Sequence, residues 1–498
     1  MTTFYHSTRN KNNRKTASQA ILQGLAEDGG LFVPVNFPQL DLDFKTLQNA
    51  TYQEIAKLVL KTFFDDFTES EIRTMVDAAY GKKFDQPEIA PLKKVGGVHV
   101  LELFHGETLA FKDMALSILP HLMQQAAQKN GVTREIVILT ATSGDTGKAA
   151  MAGFADVPQT KIIVFYPKNG VSPIQAQQML TQQGGNVHVV GIDGNFDQAQ
   201  TAVKAMFNST ELREKMAQNG KQFSSANSMN IGRLIPQVAY YIYAYAQMVK
   251  QKQIPIGEEI NFSVPTGNFG NILAAYYAKK LGLPVHQLIC ASNKNNVLTD
   301  FFKSGRYDKN RAFHVTSSPS MDILVSSNLE RLIFELTKED DQATAKLLTE
   351  LSVDGHYEIT APMQDKLKDF VAGWASEDEI IQEIKHTFEE THYVFDPHTA
   401  VASSVYHQLA PTQKTVVVST ASPYKFPAVV LEAIQPKEER TSSSAADGDF
   451  SAVAALQRIS GLALPEAIRG LETATVRHHT TVKVEQMQSE VERYLGLS

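Results

Sequence analysis

The chain has 498 residues, more than one hydrophobic core usually supports, so two or three domains are expected. Apolar residues make up 43% and charged residues 20%, the balance of a globular protein rather than a disordered one. A net charge of −7 without a dense basic run argues against a nucleic-acid surface.

Met1 to Asn13 is polar and lacks the apolar core of a signal peptide. No stretch approaches the ~18–20 apolar residues of a membrane helix, so the cytoplasm is the expected compartment. The single cysteine, Cys290, lies in an apolar run and reads as a buried structural thiol. The first ninety residues read as a mainly helical domain, with apolar side chains at helical spacing from Leu47 to Leu60 and from Glu71 to Tyr80. Pro87 to Pro91 marks a boundary.

From Ile136 the pattern changes to short β-branched runs, each followed by a loop and a helix. Ile136–Leu139 leads into Thr142-Ser-Gly-Asp-Thr-Gly147, and Ile162–Phe165 into Ser172-Pro173, an N-cap followed by a proline. Val187–Val190 precedes a helix from about Ala199 to Phe207. Ile260–Val264 ends in Pro265-Thr-Gly-Asn-Phe-Gly-Asn271, and Val416–Val418 in Ser419-Thr-Ala-Ser-Pro423. Strand, loop and helix repeated in this way predict an α/β fold with doubly wound parallel sheets. Ligands bind such sheets beyond the carboxyl ends of the strands, where the three loops fall. The expected division is 1–90, a catalytic core of 91–325 and 392–498 with a smaller mobile part at about 135–225, and an acidic helical insertion at 326–391. Thr441 to Asp449 reads as a surface loop or linker.

Lys112 lies among Phe104, Leu109, Ala110, Phe111, Met114, Ala115 and Leu116. Apolar packing around an ammonium favours the neutral amine that Schiff-base chemistry needs. Together with a turn able to hold one phosphate, such a lysine is what pyridoxal 5'-phosphate requires. Two other nucleotide readings fail. Gly144-Asp-Thr-Gly-Lys148 lacks the first glycine and the terminal hydroxyl residue of a P-loop, and Gly267–Gly270 lacks dinucleotide-fold spacing. The fourteen histidines show no convincing metal spacing, so no metal is expected. Asp396-Pro397 most simply starts a helix, with His398 and Thr399 secondary candidates for function.

Ser225-Ala-Asn-Ser-Met-Asn230-Ile-Gly-Arg233 precedes a long apolar helix, read from Leu234 to Val249. Asn227, Ser228 and Asn230 suit plain helix capping. Arg233, however, would meet the positive end of the helix dipole, a conflict that a bound anion resolves. Its planar fork also grips phosphate bidentately, pointing to a second phosphate site.

These segments together resemble the threonine synthase family. Gly24-Leu-Ala-Glu-Asp-Gly-Gly-Leu-Phe-Val-Pro34 is similar to that family's N-terminal signature, and Leu103 to Asp113 to its Schiff-base segment. The loops at Thr142, Asn227, Pro265, Asp396 and Ser419 follow in the family's order. The resemblance implies the type II, tryptophan-synthase-β-like pyridoxal-phosphate fold. It also implies conversion of O-phospho-L-homoserine and water to L-threonine and phosphate, the last step of threonine biosynthesis. On it, Lys112 would form the Schiff base and move protons, and Gly267, Asn268, Phe269, Gly270 and Asn271 would hold the cofactor phosphate. Thr420 would face the pyridine nitrogen and Asp145 the 3′-oxygen. Thr142, Ser143 and Thr146 would take the substrate carboxylate, and Asn227, Ser228 and Arg233 its phosphate. Closure of the part carrying the Thr142 loop would exclude water. Glu107 and Ser422 depart from the family's commonest pattern, where proline and histidine are frequent. A serine or threonine dehydratase, a phospholyase and a noncatalytic relative stay open as alternatives. The implied partner is a small-molecule substrate, with no nucleic acid or membrane, for a monomer or homodimer.

Overall fold

In the computed structural model, residues 3–142, 144–168, 170–435 and 448–497 are described. Local capping chemistry sets many of the helix starts. Ser172 and Gln175 cap each other's backbone ahead of Pro173–Leu180, and Ser376 and Glu379 do so ahead of Glu377–Thr391. Asp396 caps Pro397–Leu409 with the proline at its first position, as the sequence predicts. The apolar run read as one helix from Leu47 divides into Phe44–Leu47 and Tyr52–Phe63. The cause is Thr51, whose hydroxyl accepts the Glu54 N–H at 3.2 Å while its own N–H donates to Glu54 at 2.7 Å, which starts a new helix.

Near the N-terminus, β1 (Phe4–Ser7), β2 (Asn10–Thr16) and β3 (Phe32–Pro34) form an antiparallel sheet in the order β2-β1-β3. Then follow β4 (Leu92–Val95), β5 (Val98–Glu102), β6 (Glu135–Ala141), β7 (Thr160–Pro167), β8 (Val187–Asp193) and β9 (Lys221–Ser224). The remaining strands are β10 (Ile260–Pro265), β11 (Val285–Ser292), β12 (Arg306–Asp308), β13 (His356–Glu358), β14 (Phe370–Trp374), β15 (Thr415–Ser419) and β16 (Thr480–Lys483).

Two sheets carry the architecture. The larger runs β14-β11-β10-β15-β5-β4, parallel except for the antiparallel pair β4–β5. The smaller runs β16-β8-β7-β6-β9 and is parallel throughout. All six residues of β10 are buried, as a central strand covered on both faces demands.

The apolar helix following Asn230 is divided too. A turn at Ile231–Leu234 and a 3-10 turn at Ile235–Gln237, with Pro236 inside it, lead into Val238–Lys250. Every residue of that last helix except Lys250 is buried. A helix apolar all round is a core helix, and this one packs against Tyr52–Phe63 and Gly270–Lys280.

Residues 326–391 contain helices Leu329–Leu336, Asp341–Val353 and Glu377–Thr391, but also β13 and the sheet-edge strand β14. A five-residue edge strand carries too short a pattern to separate from its helical neighbours. Most of the loop read from Thr441 lies outside the described residues, and the described chain resumes in the helix Gly448–Ser460.

Candidate active site

One cavity of about 1910 Å³ opens beyond the carboxyl ends of β6, β10 and β15. Lys112, Thr142, Asp145, Thr146, Asn227, Ser228, Arg233, Gly267, Asn268, Phe269, Gly270, Asn271 and Thr420 all line it. Segments more than 300 residues apart in sequence, from Lys112 to Thr420, thus meet at one place. Ser143 lies outside the described residues.

Lys112 precedes the short helix Asp113–Leu116, in a stretch anchored to the β15 loop by Phe111 N–H on Thr420 O at 2.8 Å. Burial pushes its ammonium below the ordinary lysine value; nearby Asp145 opposes this, while Lys425 and Arg233 add to it. The Lys112 Nζ donates to Ser320 Oγ at 3.1 Å and stands 3.7 Å from Asp145 Oδ2. Burial alone would raise the Asp145 carboxyl, but Lys425 and then Lys112 overcome it and hold it well below the usual range.

Gly267 to Asn271 joins β10 to the helix Gly270–Lys280. No side chain caps that helix, and the residue before it, Phe269, is left-handed at φ 63°. A non-glycine residue held there costs about 1–3 kcal/mol, which surrounding contacts must offset. Those contacts include Ser326 Oγ on Gly267 O at 2.7 Å, with Asn328 donating through both N–H and Nδ2 to Asn268 O at 3.1 Å. A Cβ on Gly267 would meet Ser320 O at 3.0 Å and Met321 Cα at 3.1 Å. Asn271 Oδ1 accepts from Tyr241 Oη at 2.7 Å and from Tyr240 Oη, while its Nδ2 is buried without a partner among the described residues. Uncapped helix N–H groups and an unused amide donor fit a phosphomonoester.

In the segment expected to hold a second anion, Asn230 caps the turn Ile231–Leu234 and accepts the Gly232 N–H at 2.8 Å. This puts the Arg233 side chain in the first turn. Its Nη1 donates to Ala226 O at 2.9 Å, but its Nε is buried without a partner among the described residues. Burial lowers the guanidinium to about 10, which leaves it charged at neutral pH. Lys112 and Lys425 both act on the carboxylate of Asp145, and Arg233 adds a further positive charge felt at Lys112. That excess of positive charge suits anionic ligands.

In the Thr142 loop, the threonine hydroxyl accepts the N–H groups of Gly144 at 3.0 Å and Gly147 at 2.9 Å, keeping its own O–H to donate. Thr420 sits at the end of β15, its N–H on Thr399 Oγ1 at 3.3 Å. Thr399 and His398 are both held by Asp396, and His398 Nε2 accepts the Ser320 N–H at 3.1 Å.

Sequence reasoning did not single out Ser320, Gln175 or Lys425 as parts of this site. Ser320 lies in a stretch with no motif, and around Gln175 the sequence signals only the helix start at Ser172-Pro173. Lys425 carried a signal, since a lysine between Tyr424 and Phe426 ahead of an apolar helix has an apolar setting. Cys290 is buried, and burial pushes its thiol up to about 12, the state of an inert structural cysteine.

Comparison with known proteins agrees with this geometry. Residues 4–80 match the family described as "Threonine synthase N terminus", and residues 87–421 match "Pyridoxal-phosphate dependent enzyme". Human "Threonine synthase-like 1" is 41% identical over 448 residues, covering 87% of this chain; the chain spans only 60% of that relative's length. The threonine synthase of Schizosaccharomyces pombe is 38% identical over 460 residues, covering 85% of this chain and 87% of the relative. The pyridoxal-phosphate-bound threonine synthase structure from Brucella melitensis superposes with a TM-score of 0.87 at 35% identity, over 99% of this chain and 98% of that one. On these matches the chain has the type II fold and belongs to the threonine synthase family of pyridoxal-phosphate-dependent enzymes.

Proposed function

We propose that the chain converts O-phospho-L-homoserine and water to L-threonine and phosphate. The observation that carries this reading is the buried Arg233, whose Nε has no partner among the described residues, in the same cavity as Lys112 and the Gly267–Asn271 turn. A dehydratase of the same fold needs the lysine and the turn but has no phosphate on its substrate to occupy Arg233.

The residues have separable tasks. The N–H groups from Gly267 to Asn271 and the Asn271 amide would hold the cofactor phosphate, Lys112 would bond its aldehyde carbon, and Thr420 would meet its ring nitrogen. Once bound, pyridoxal phosphate supplies an electron sink that makes the substrate's α and β hydrogens acidic. Lys112, its ammonium destabilised by burial, is suited to accept and return those protons at Nζ. Arg233, Asn227 and Ser228 would grip the γ-phosphate, so that charge building on the leaving oxygen meets a fixed cation. Thr142, Ser143 and Thr146 would orient the substrate carboxylate, Thr146 from the first turn of the helix Asp145–Phe154. Closure of residues 135–225 over the cavity would keep water out until it is needed at the β carbon. The division of the chain at about residues 90, 325 and 391 stays a proposal, open to limited proteolysis.

No described helix is long and apolar enough to cross a membrane. We place the enzyme in the cytoplasm as a monomer or homodimer, to be checked by fractionation and light scattering. The deciding experiment incubates purified protein with O-phospho-L-homoserine and measures phosphate and threonine together. Equal release of both supports the proposal; phosphate without threonine would make the chain a phospholyase, and neither product would refute it.

A further inference from the structure

Lys425 is fully buried, yet it belongs to neither phosphate site. It ends the 3-10 turn Pro423–Lys425 after β15, and its Nζ donates to Thr108 O and to Asp145 Oδ1, both at 2.8 Å. The same Asp145 oxygen accepts from Gln175 Nε2 at 3.0 Å. The other oxygen accepts from Ser320 Oγ at 3.0 Å and faces Lys112 Nζ only at 3.7 Å. The carboxylate's nearest cation is therefore Lys425, not Lys112.

We propose that Lys425 is a positioning residue that draws the Asp145 carboxylate away from Lys112, so that the Lys112 amine can be uncharged and free to bond an aldehyde or accept a proton. The inference rests on Lys112 being the cofactor-bonding lysine. An ammonium whose only close partner is a buried carboxylate stays protonated and is a poor nucleophile. Lys425 prevents this in two ways: it neutralises Asp145, and it places a like charge near Lys112.

Among the described residues, Asp145 is the one anion among the principal charges acting on Lys112. Besides Asp145, it faces Lys425 and Arg233, both cationic. Asp145 faces His398 in addition to the two lysines. Lys425 also acts on Asp113 and Lys148, and Glu107 acts on both of these. The Asp113 carboxylate is taken by the N–H and hydroxyl of Thr108, and burial raises it to about 6. A purely structural Lys425, tying Thr108 to the helix of Asp145, would make no difference to the charge on Lys112.

The experiment reads that charge directly. Full-length protein freed of cofactor is pulsed with formaldehyde and cyanoborohydride from pH 6 to 10, and the Lys112 peptide is quantified by mass spectrometry. Labelling is normalised to Lys346, whose side chain is 79% exposed, to cancel the pH dependence of the reagents. In the wild type, the Lys112 midpoint should fall below the ~10.4 of an ordinary lysine. In Lys425→Met it should rise by about one pH unit, and Lys425→Arg should restore most of the difference. An unchanged midpoint in folded Lys425→Met overturns the proposal. A wild-type Lys112 midpoint at the ordinary lysine value also overturns it, and should Lys425→Met not fold, Lys425→Gln, which keeps a donor for Thr108 O, is judged by the same criterion. Labelling reports amine charge whether or not pyridoxal phosphate bonds Lys112, so a failed cofactor assignment shows up separately, as failure of borohydride to fix the cofactor at that peptide.

Discussion

At the scale of single residues, the site is a small set of charges whose neighbours decide what each can do. Borohydride reduction of the holoenzyme is expected to fix the cofactor on the peptide containing Phe111-Lys112-Asp113; label at Lys148 or Lys425 would refute the role given to Lys112. Arg233→Ala should cost about 2–4 kcal/mol in kcat/KM for the phosphorylated substrate while pyridoxal phosphate still binds. Arg233→Lys should recover only part of this, because the planar fork is lost. Cofactor release with unaltered kinetics would show that the two phosphate sites had been exchanged. Away from the cavity, His105 sits between Asp85 at 2.7 Å and Glu102 at 3.0 Å. Burial lowers its pKa, but the two carboxylates more than reverse this and raise it to about 9. Its contribution to stability is full below about 6.5, where the unfolded histidine is also protonated, and fades as pH rises through about 9. Asp85 is half-exposed and screened, so about 1–2 kcal/mol is expected. The gap in Tm between wild type and His105→Asn should therefore narrow from pH 6 to pH 9.5; a constant gap would remove the charged pair from the explanation.

Among the elements, the helix Leu329–Leu336 does more than its place in an acidic stretch of sequence suggests. Arg331 is fully buried, and its guanidinium donates to Phe32 O at 3.0 Å, Met229 O at 2.7 Å and Asn328 Oδ1. Phe32 belongs to β3, Met229 to the loop before Arg233, and Asn328 carries the bonds to Asn268 in the glycine turn. One side chain thus ties the N-terminal sheet to both proposed phosphate sites. Arg331→Met would leave three acceptors unpaired, for an expected loss of about 3 kcal/mol or more. Retention of pyridoxal phosphate on gel filtration should fall together with Tm. Unchanged retention in a folded variant would confine Arg331 to stability.

For the whole molecule, the two parallel sheets bring their loops to one cavity, so ligand binding and stability are coupled. Pyridoxal phosphate at about 100 times its Kd should add about 2.7 kcal/mol to the folded state and raise Tm. Arg233→Ala should keep that gain and lose any further gain from a phosphorylated amino acid. If the variant lost both gains, the two anion sites would be one.

The local chemistry of this chain is legible in its sequence. Capping pairs such as Ser376 with Glu379, the proline after Asp396 and the β-branched runs of β6, β7, β10 and β15 act over a few residues, and the structure places them where the patterns do. The type II fold, the cofactor and the family were within reach because the segments around Lys112, Gly267 and Thr420 are short, contiguous and similar to those of a known family, the latter two directly following β10 and β15. Tertiary structure decided what depends on long-range pairing. The strand β16 is fixed by pairing with β8 nearly 300 residues away, and β14 by a place at the edge of the larger sheet. The partners of Asp145 come likewise from Gln175, Ser320 and Lys425, on three separate segments. No local pattern specifies which carboxylate a buried lysine will meet; that follows from which loops the two sheets fold together, and it sets the charge that Lys112 can carry.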